Sequence, residues 1–155
     1  NRSRAKDIVH GKVFKFWIYH AVSLSNANYA YIVVPGTKQL YQKAMQQVKI
    51  RYNTLDIQAV EKKGLGIIQM ICHLGGTYQI GHWSIQTDKP ILLQLCGKDP
   101  DNMQLDLADP LQEAKHVNIR LVNTHLGIDQ TMHISLPQSE YAGRTVSTNL
   151  VAGRK

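Results

Sequence analysis

Apolar and polar residues alternate along most of this chain with a period of two, the pattern of strands that bury one face and show the other to solvent. Leu55, Ile57 and Ala59 alternate with Asp56 and Gln58. After a break at Gly64-Leu65-Gly66, Ile68, Met70, Cys72 and Leu74 form one face of the next run. Met103, Leu105 and Leu107 repeat the pattern, then Val117, Ile119 and Leu121, then Met132, Ile134 and Leu136, and finally Val146, Thr148 and Leu150. Two earlier runs, Lys12 to Ala21 (KVFKFWIYHA) and Asn26 to Gly36 (NANYAYIVVPG), read as adjacent strands joined by a polar turn.

Turn-forming residues separate these runs at short intervals. Asp99-Pro100-Asp101-Asn102 reads as a hairpin connection, because Pro presets φ and Asp or Asn caps the turn. Asp109-Pro110 ends a strand, since Pro cannot donate to a ladder. Leu126 to Asp129 links the strands on either side of it. Lys38 to Val48, rich in Gln, Lys, Ala and Met and following Pro35-Gly36-Thr37, is the one helix candidate. Many short strands with regular turns predict an all-β fold, an antiparallel β-sandwich. Composition shifts between Leu74 and Pro90, so a boundary is expected near Asp88, dividing the chain into 1–88 and a compact module over 89–155.

Composition agrees with a folded chain: 43% hydrophobic and 19% charged residues exclude a disordered one. No apolar run reaches the ~20 residues that a helical membrane span needs. The opening, NRSRAKDIVHG, lacks the apolar core of a signal peptide and reads as the interior of a longer polypeptide. Net charge is +7 and unevenly placed. The stretch up to Lys63 holds 11 basic and 3 acidic residues, and the remainder holds 7 and 8. A basic front half attracts polyanions such as sulfated glycans, nucleic acid or anionic lipid; it is equally a solvated face.

Candidate chemistry is sparse. Lys49, Arg51, Lys62 and Lys63 flank one strand and form the best anion-contacting cluster, and Trp83 offers a ring on which a sugar would stack or a packing element. His73, His82, His116, His125 and His133 lie on different runs without metal-site spacings, so no zinc site or other cofactor is expected. Cys72 and Cys96, each in an apolar run, read as two free thiols packed as small hydrophobes or, in an oxidising compartment, as a disulfide. Tyr29 and Tyr31 share a face and read as core aromatics in preference to an acid/base pair or a sugar platform. His20, at a strand end, reads as a structural histidine rather than a catalytic one.

Four segments, in order, resemble the C-terminal end of the family 8 polysaccharide lyases, the chondroitin, hyaluronate and xanthan lyases. They are the strand ending Trp17-Ile18-Tyr19-His20, the run from Tyr29-Ala30-Tyr31 to Pro35-Gly36, the strand Asn53 to Val60 (NTLDIQAV), and the module from Pro90 to Val151. That module carries Asp109-Pro110 and the closing Gly143-Arg144-Thr145-Val146. Ala21 stands where the family usually has Gly. The resemblance implies that 1–88 holds the last strands of a β-supersandwich and 89–155 the small C-terminal β-sandwich. It implies β-elimination at a uronic acid by the parent, with the catalytic residues in an upstream helical domain and none in this segment. It further implies an anionic polysaccharide and the remainder of the lyase chain as partners, and a periplasmic or extracellular setting. A stand-alone module binding sulfated glycans is the alternative. A nucleic-acid binder rests on the basic excess alone, with no aromatic recognition signature behind it, and no nucleic-acid partner is expected.

Overall fold

The computed structural model describes residues 28–150, preceded by Gly11, Trp17 and Tyr19. The strand expected over Lys12 to Ala21, with His20, and the polar turn at Asn26 lie outside the described residues, apart from Trp17 and Tyr19, which are exposed. Two antiparallel sheets face each other. The first contains β1 (Val48–Asn53), β2 (Ile57–Lys62), β3 (Ile67–Cys72), β6 (Ile91–Cys96), β7 (Gln104–Ala108) and β10 (Val146–Asn149), side by side in that order. The second contains β4 (Gly76–Ile80), β5 (Trp83–Thr87), β8 (His116–Asn123) and β9 (Ile128–Ser135).

The period-two pattern translates directly into this sandwich. In β3, Ile68, Met70 and Cys72 point inward and stand opposite Leu95, Leu93 and Ile91 of β6. Across the interior lie Ile85, Ile119 and Leu121 of the second sheet, each 0 to 1% exposed. Burying one such side chain contributes about 1.5–3 kcal/mol, so the facing rows hold the two layers together. A slip of one residue in any strand would turn its whole apolar row outward, which fixes the register.

Successive hairpins alternate between the layers, and each crossover has a local cause. Between β5 and β6, the Thr87 hydroxyl donates to the Lys89 carbonyl at 3.0 Å and turns the chain back to the first sheet. Between β7 and β8, the buried Asp109 carboxylate accepts from the backbone N–H groups of Leu111, Glu113 and Ala114 at 2.7–2.8 Å. Strands from both sides of Asp88 share both sheets, β3 pairing β6 and β5 pairing β8. The boundary expected near Asp88 therefore does not divide the core: composition changes there because the chain crosses between layers.

The helix is α1 (Lys38–Gln47), started by Thr37, whose Oγ1 accepts from the Leu40 N–H at 3.5 Å. None of its residues is buried, and it lies against β1. Residues 28–35, expected as a strand, are not a strand of either sheet, although the Asn53 side-chain amide donates to the Tyr29 carbonyl at 3.2 Å. Tyr29 and Tyr31 are exposed rather than core: among the described residues the first sheet strand starts at Val48. Two apolar residues also leave the expected rows. Leu55, 93% exposed, sits in the β1–β2 turn, where Thr54 bonds back to Ile57. Leu74 lies past the end of β3 and is exposed.

Candidate functional site

Four turns meet at one end of the sandwich: residues 63–66, 81–82, 97–103 and 124–127. They surround a hollow of about 180 Å³ whose wall includes Glu61, Gly66, Trp83, Lys98 and Leu126. Gly66 and Gly97 let two of these turns touch. Gly66 has φ +64°, and a Cβ there would strike the Gly97 carbonyl oxygen, while the Gly97 N–H donates to the Gly66 carbonyl at 3.2 Å.

Glu61 is held by Arg51, whose Nε donates to Oε2 at 2.7 Å and whose Nη2 reaches the same oxygen. Arg51 comes within reach because register shifts between Ile50 and Tyr52, a bulge that re-aims the side chain. The pair packs over Gly81, where a Cβ would meet both side chains at 3.4–3.5 Å. On the neighbouring turns, the His82 and His125 rings stand edge to face, 4.2 Å between centroids.

Of the residues expected to contact an anion, Lys49 is exposed on β1, opposite Glu61. Arg51 is committed to Glu61. Lys63 is exposed at the start of the β2–β3 turn. Lys62 follows Glu61 in an extended strand and so points to the opposite face of the sheet, where it lines a separate cleft. Trp83 is only 7% exposed: its ring belongs to the core and walls the hollow from inside, so it presents no stacking platform. Alternation explains that correction, because Trp83 shares the inward face of β5 with Ile85 and Thr87. Lys98 was not singled out by sequence reading. It lies 32 residues beyond Gly66, and only the touching of two glycine turns brings it to the rim.

The outer face of the first sheet carries two further clefts. One, of about 420 Å³, has Ile71, Leu92 and Ala108 in its floor. Beside that floor runs a ladder over four strands: the Gln69 amide donates to Gln94 at 2.6 Å, the Gln94 amide to Asp106 at 3.3 Å, and the Ser147 hydroxyl to Asp106 at 2.6 Å. The Ser147 hydroxyl and then the Gln104 amide hold the Asp106 carboxyl below its ordinary pKa, against a smaller opposing effect of burial. The other cleft, of about 750 Å³, lies between residues 30–45 and β1–β3, with Tyr31, Tyr41 and Met45 on one side and Lys62 on the other. No histidine lines any of these three clefts.

Cys72 and Cys96 are both free. Burial pushes the Cys72 thiol above its usual pKa. Among the described residues, no helix is long and apolar enough to cross a membrane.

Two antiparallel sheets packed face to face, closed at one end by polar turns, define a β-sandwich domain. Residues 49–118 match the polysaccharide lyase family 8 C-terminal β-sandwich domain, and the chain belongs with the C-terminal region of that family. It is 35% identical over 152 residues to chondroitinase-AC of Pedobacter heparinus, a match covering 94% of this chain and 21% of that protein. A solved structure of chondroitinase AC lyase, determined with bound oligosaccharide, superimposes with a TM-score of 0.63 at 27% identity. That match covers 74% of this chain and 17% of the solved one. The chain thus spans about a fifth of the length of the relative it matches.

Proposed function

We propose that this chain is the non-catalytic C-terminal portion of a glycosaminoglycan-degrading lyase, working outside the cytoplasm, in the periplasm or beyond. The parent would cleave by β-elimination at a uronic acid, a reaction that needs a base at the C5 proton and an acid at the leaving oxygen. The observation that carries this reading is the 35% identity to chondroitinase-AC over 94% of the chain, with the family's C-terminal domain matched over residues 49–118. The site geometry supports the division of labour. The carboxylate in the turn-end hollow is tied to Arg51, and His82 and His125, on two of the turns, pack against each other.

Within that role, the module begins near Val48, where sheet pairing and the family match both start, and residues before it belong to the preceding domain. Lys49, Lys63 and Lys98 at the turn-built end steer an anionic polysaccharide along the parent enzyme. Exposed lysines act on a sulfated or carboxylated chain through a field screened over about 10 Å at 0.1 M salt. Retention on immobilised chondroitin sulfate in a salt gradient tests this. The wild-type chain should elute later than a Lys49→Ala/Lys63→Ala/Lys98→Ala triple variant. Co-elution of the two at trivial salt would leave only the supporting role.

A further inference from the structure

The outward face of β8 and β9 carries a side-chain constellation that neither the proposed lyase role nor the turn-built end uses. Asn118 of β8 pairs with His133 of β9, and His116 stands two residues from Asn118 on the same face. The His116 and His133 rings lie 4.6 Å apart between centroids, their planes at 37°. Below them the hairpin is anchored by Val117, Ile119 and Ile134, all buried, so both imidazoles rise from a rigid base.

Hydrogen bonding settles which nitrogen of His133 is available. The Asp88 carboxylate accepts from the Asn118 backbone N–H at 2.8 Å and from its Nδ2 at 2.7 Å. A carboxylate only accepts, so the Asn118 NH2 must face Asp88 and its Oδ1 must face His133. That oxygen lies 2.8 Å from His133 Nδ1. Two acceptors cannot share a hydrogen bond, so Nδ1 carries the proton and neutral His133 presents a bare Nε2 lone pair. Burial opposes ionisation of Asp88, but the two Asn118 bonds and Lys89 outweigh it and hold that carboxyl below its ordinary pKa. Lys89 itself is engaged, its ammonium donating to the His116 carbonyl at 2.8 Å.

A carboxylate that orients a histidine and fixes its tautomer, here through one intervening amide, is the support a metal-binding imidazole receives from its surroundings. We propose that His116 and His133 form a surface site for a divalent transition metal of the imidazole-preferring kind, copper, nickel or zinc, with Asn118 and Asp88 as positioning residues. Calcium and magnesium, which take oxygen donors, are excluded by the ligand type. Among the described residues no third histidine, cysteine or carboxylate joins the pair. The remaining coordination positions would be filled by water or by a donor from outside the pair. The 17-residue separation of the two histidines hides the site from spacing rules; the β8–β9 register creates it.

Calorimetric titration of the tag-free chain at neutral pH with Cu2+, Ni2+, Zn2+, Ca2+ and Mg2+ tests this. One transition-metal ion should bind per chain, Cu2+ tightest, with no heat from Ca2+ or Mg2+. His116→Gln or His133→Gln should abolish that binding in a chain that keeps its strand circular dichroism, while His82→Gln leaves it intact. Asn118→Ala should weaken it about 10–100-fold. The same variant should raise the pH at which half the bound nickel is released, because protons compete for the imidazoles. Full affinity in either Gln variant at 116 or 133, or loss with His82→Gln, overturns the site. An unchanged affinity in Asn118→Ala overturns the positioning role.

Discussion

Asp109 shows how much one side chain can settle. Its carboxylate closes the β7–β8 crossover by accepting three backbone N–H groups at the point where Pro110 ends the ladder. Burial raises its pKa, yet the hydrogen bonds from Ala114, Leu111 and Glu113 together win, and the carboxyl titrates below its ordinary value. The folded pKa is depressed, so the stabilisation is present above the unfolded value of about 3.9 and fades as pH falls through the folded one. Asp109→Ala should cost about 2 kcal/mol in urea unfolding at neutral pH. Asp109→Asn should flatten the loss of stability between neutral and acid pH; an unchanged acid limb would refute the assignment. Cysteine reactivity offers a second check at this scale. Cys72 is fully buried with a raised pKa and Cys96 is half-buried, so a thiol reagent should label Cys96 first in the native chain. The sequence marks Asp109-Pro110 as a stop but not the three amides that Asp109 gathers, because those come from the residues that follow it.

At the level of elements, register separates two residues that composition treats alike. Ile119 of β8 is 1% exposed and faces the core, whereas Leu92 of β6 is 41% exposed on the outer face. Ile119→Ala should cost about 3 kcal/mol and Leu92→Ala less than about 1 kcal/mol, read from the shift in urea midpoint. Gly66→Ala should destabilise by about 2 kcal/mol, since it places a side chain at φ +64° against the Gly97 carbonyl. Period two makes β2, β3 and β7 to β10 legible, and Thr37 with the residues after it makes α1 legible, because those signals are local. The β4–β5 hairpin is harder to see. Gly76, Thr77 and Gln79 dilute its alternation, and its turn is only Gly81-His82. Layer assignment is not legible at all, because period two says that a strand has an inner face but not which sheet it joins. That is why a crossover at Asp88 reads as a domain boundary. The candidate site divides the same way: the aim of Lys62 and of Trp83 follows from alternation within their own strands, while the arrival of Lys98 at the rim follows from how the turns of the two layers close.

For the molecule as a whole, the fold is a β-sandwich whose charge is uneven along the chain: the stretch up to Lys63 is strongly basic and the rest nearly neutral. Such asymmetry makes long-range steering of a polyanion salt-dependent, and the proposed steering should vanish as ionic strength rises. The chain corresponds to about a fifth of chondroitinase-AC, and the role proposed above assigns catalysis to the rest of a longer parent. Direct measurement is simple: incubate the purified chain with chondroitin sulfate and hyaluronan and follow unsaturated uronate by its ultraviolet absorbance. No product should form at any pH or with any added divalent ion. Sustained release of unsaturated uronate by this chain alone would contradict its assignment as a supporting module.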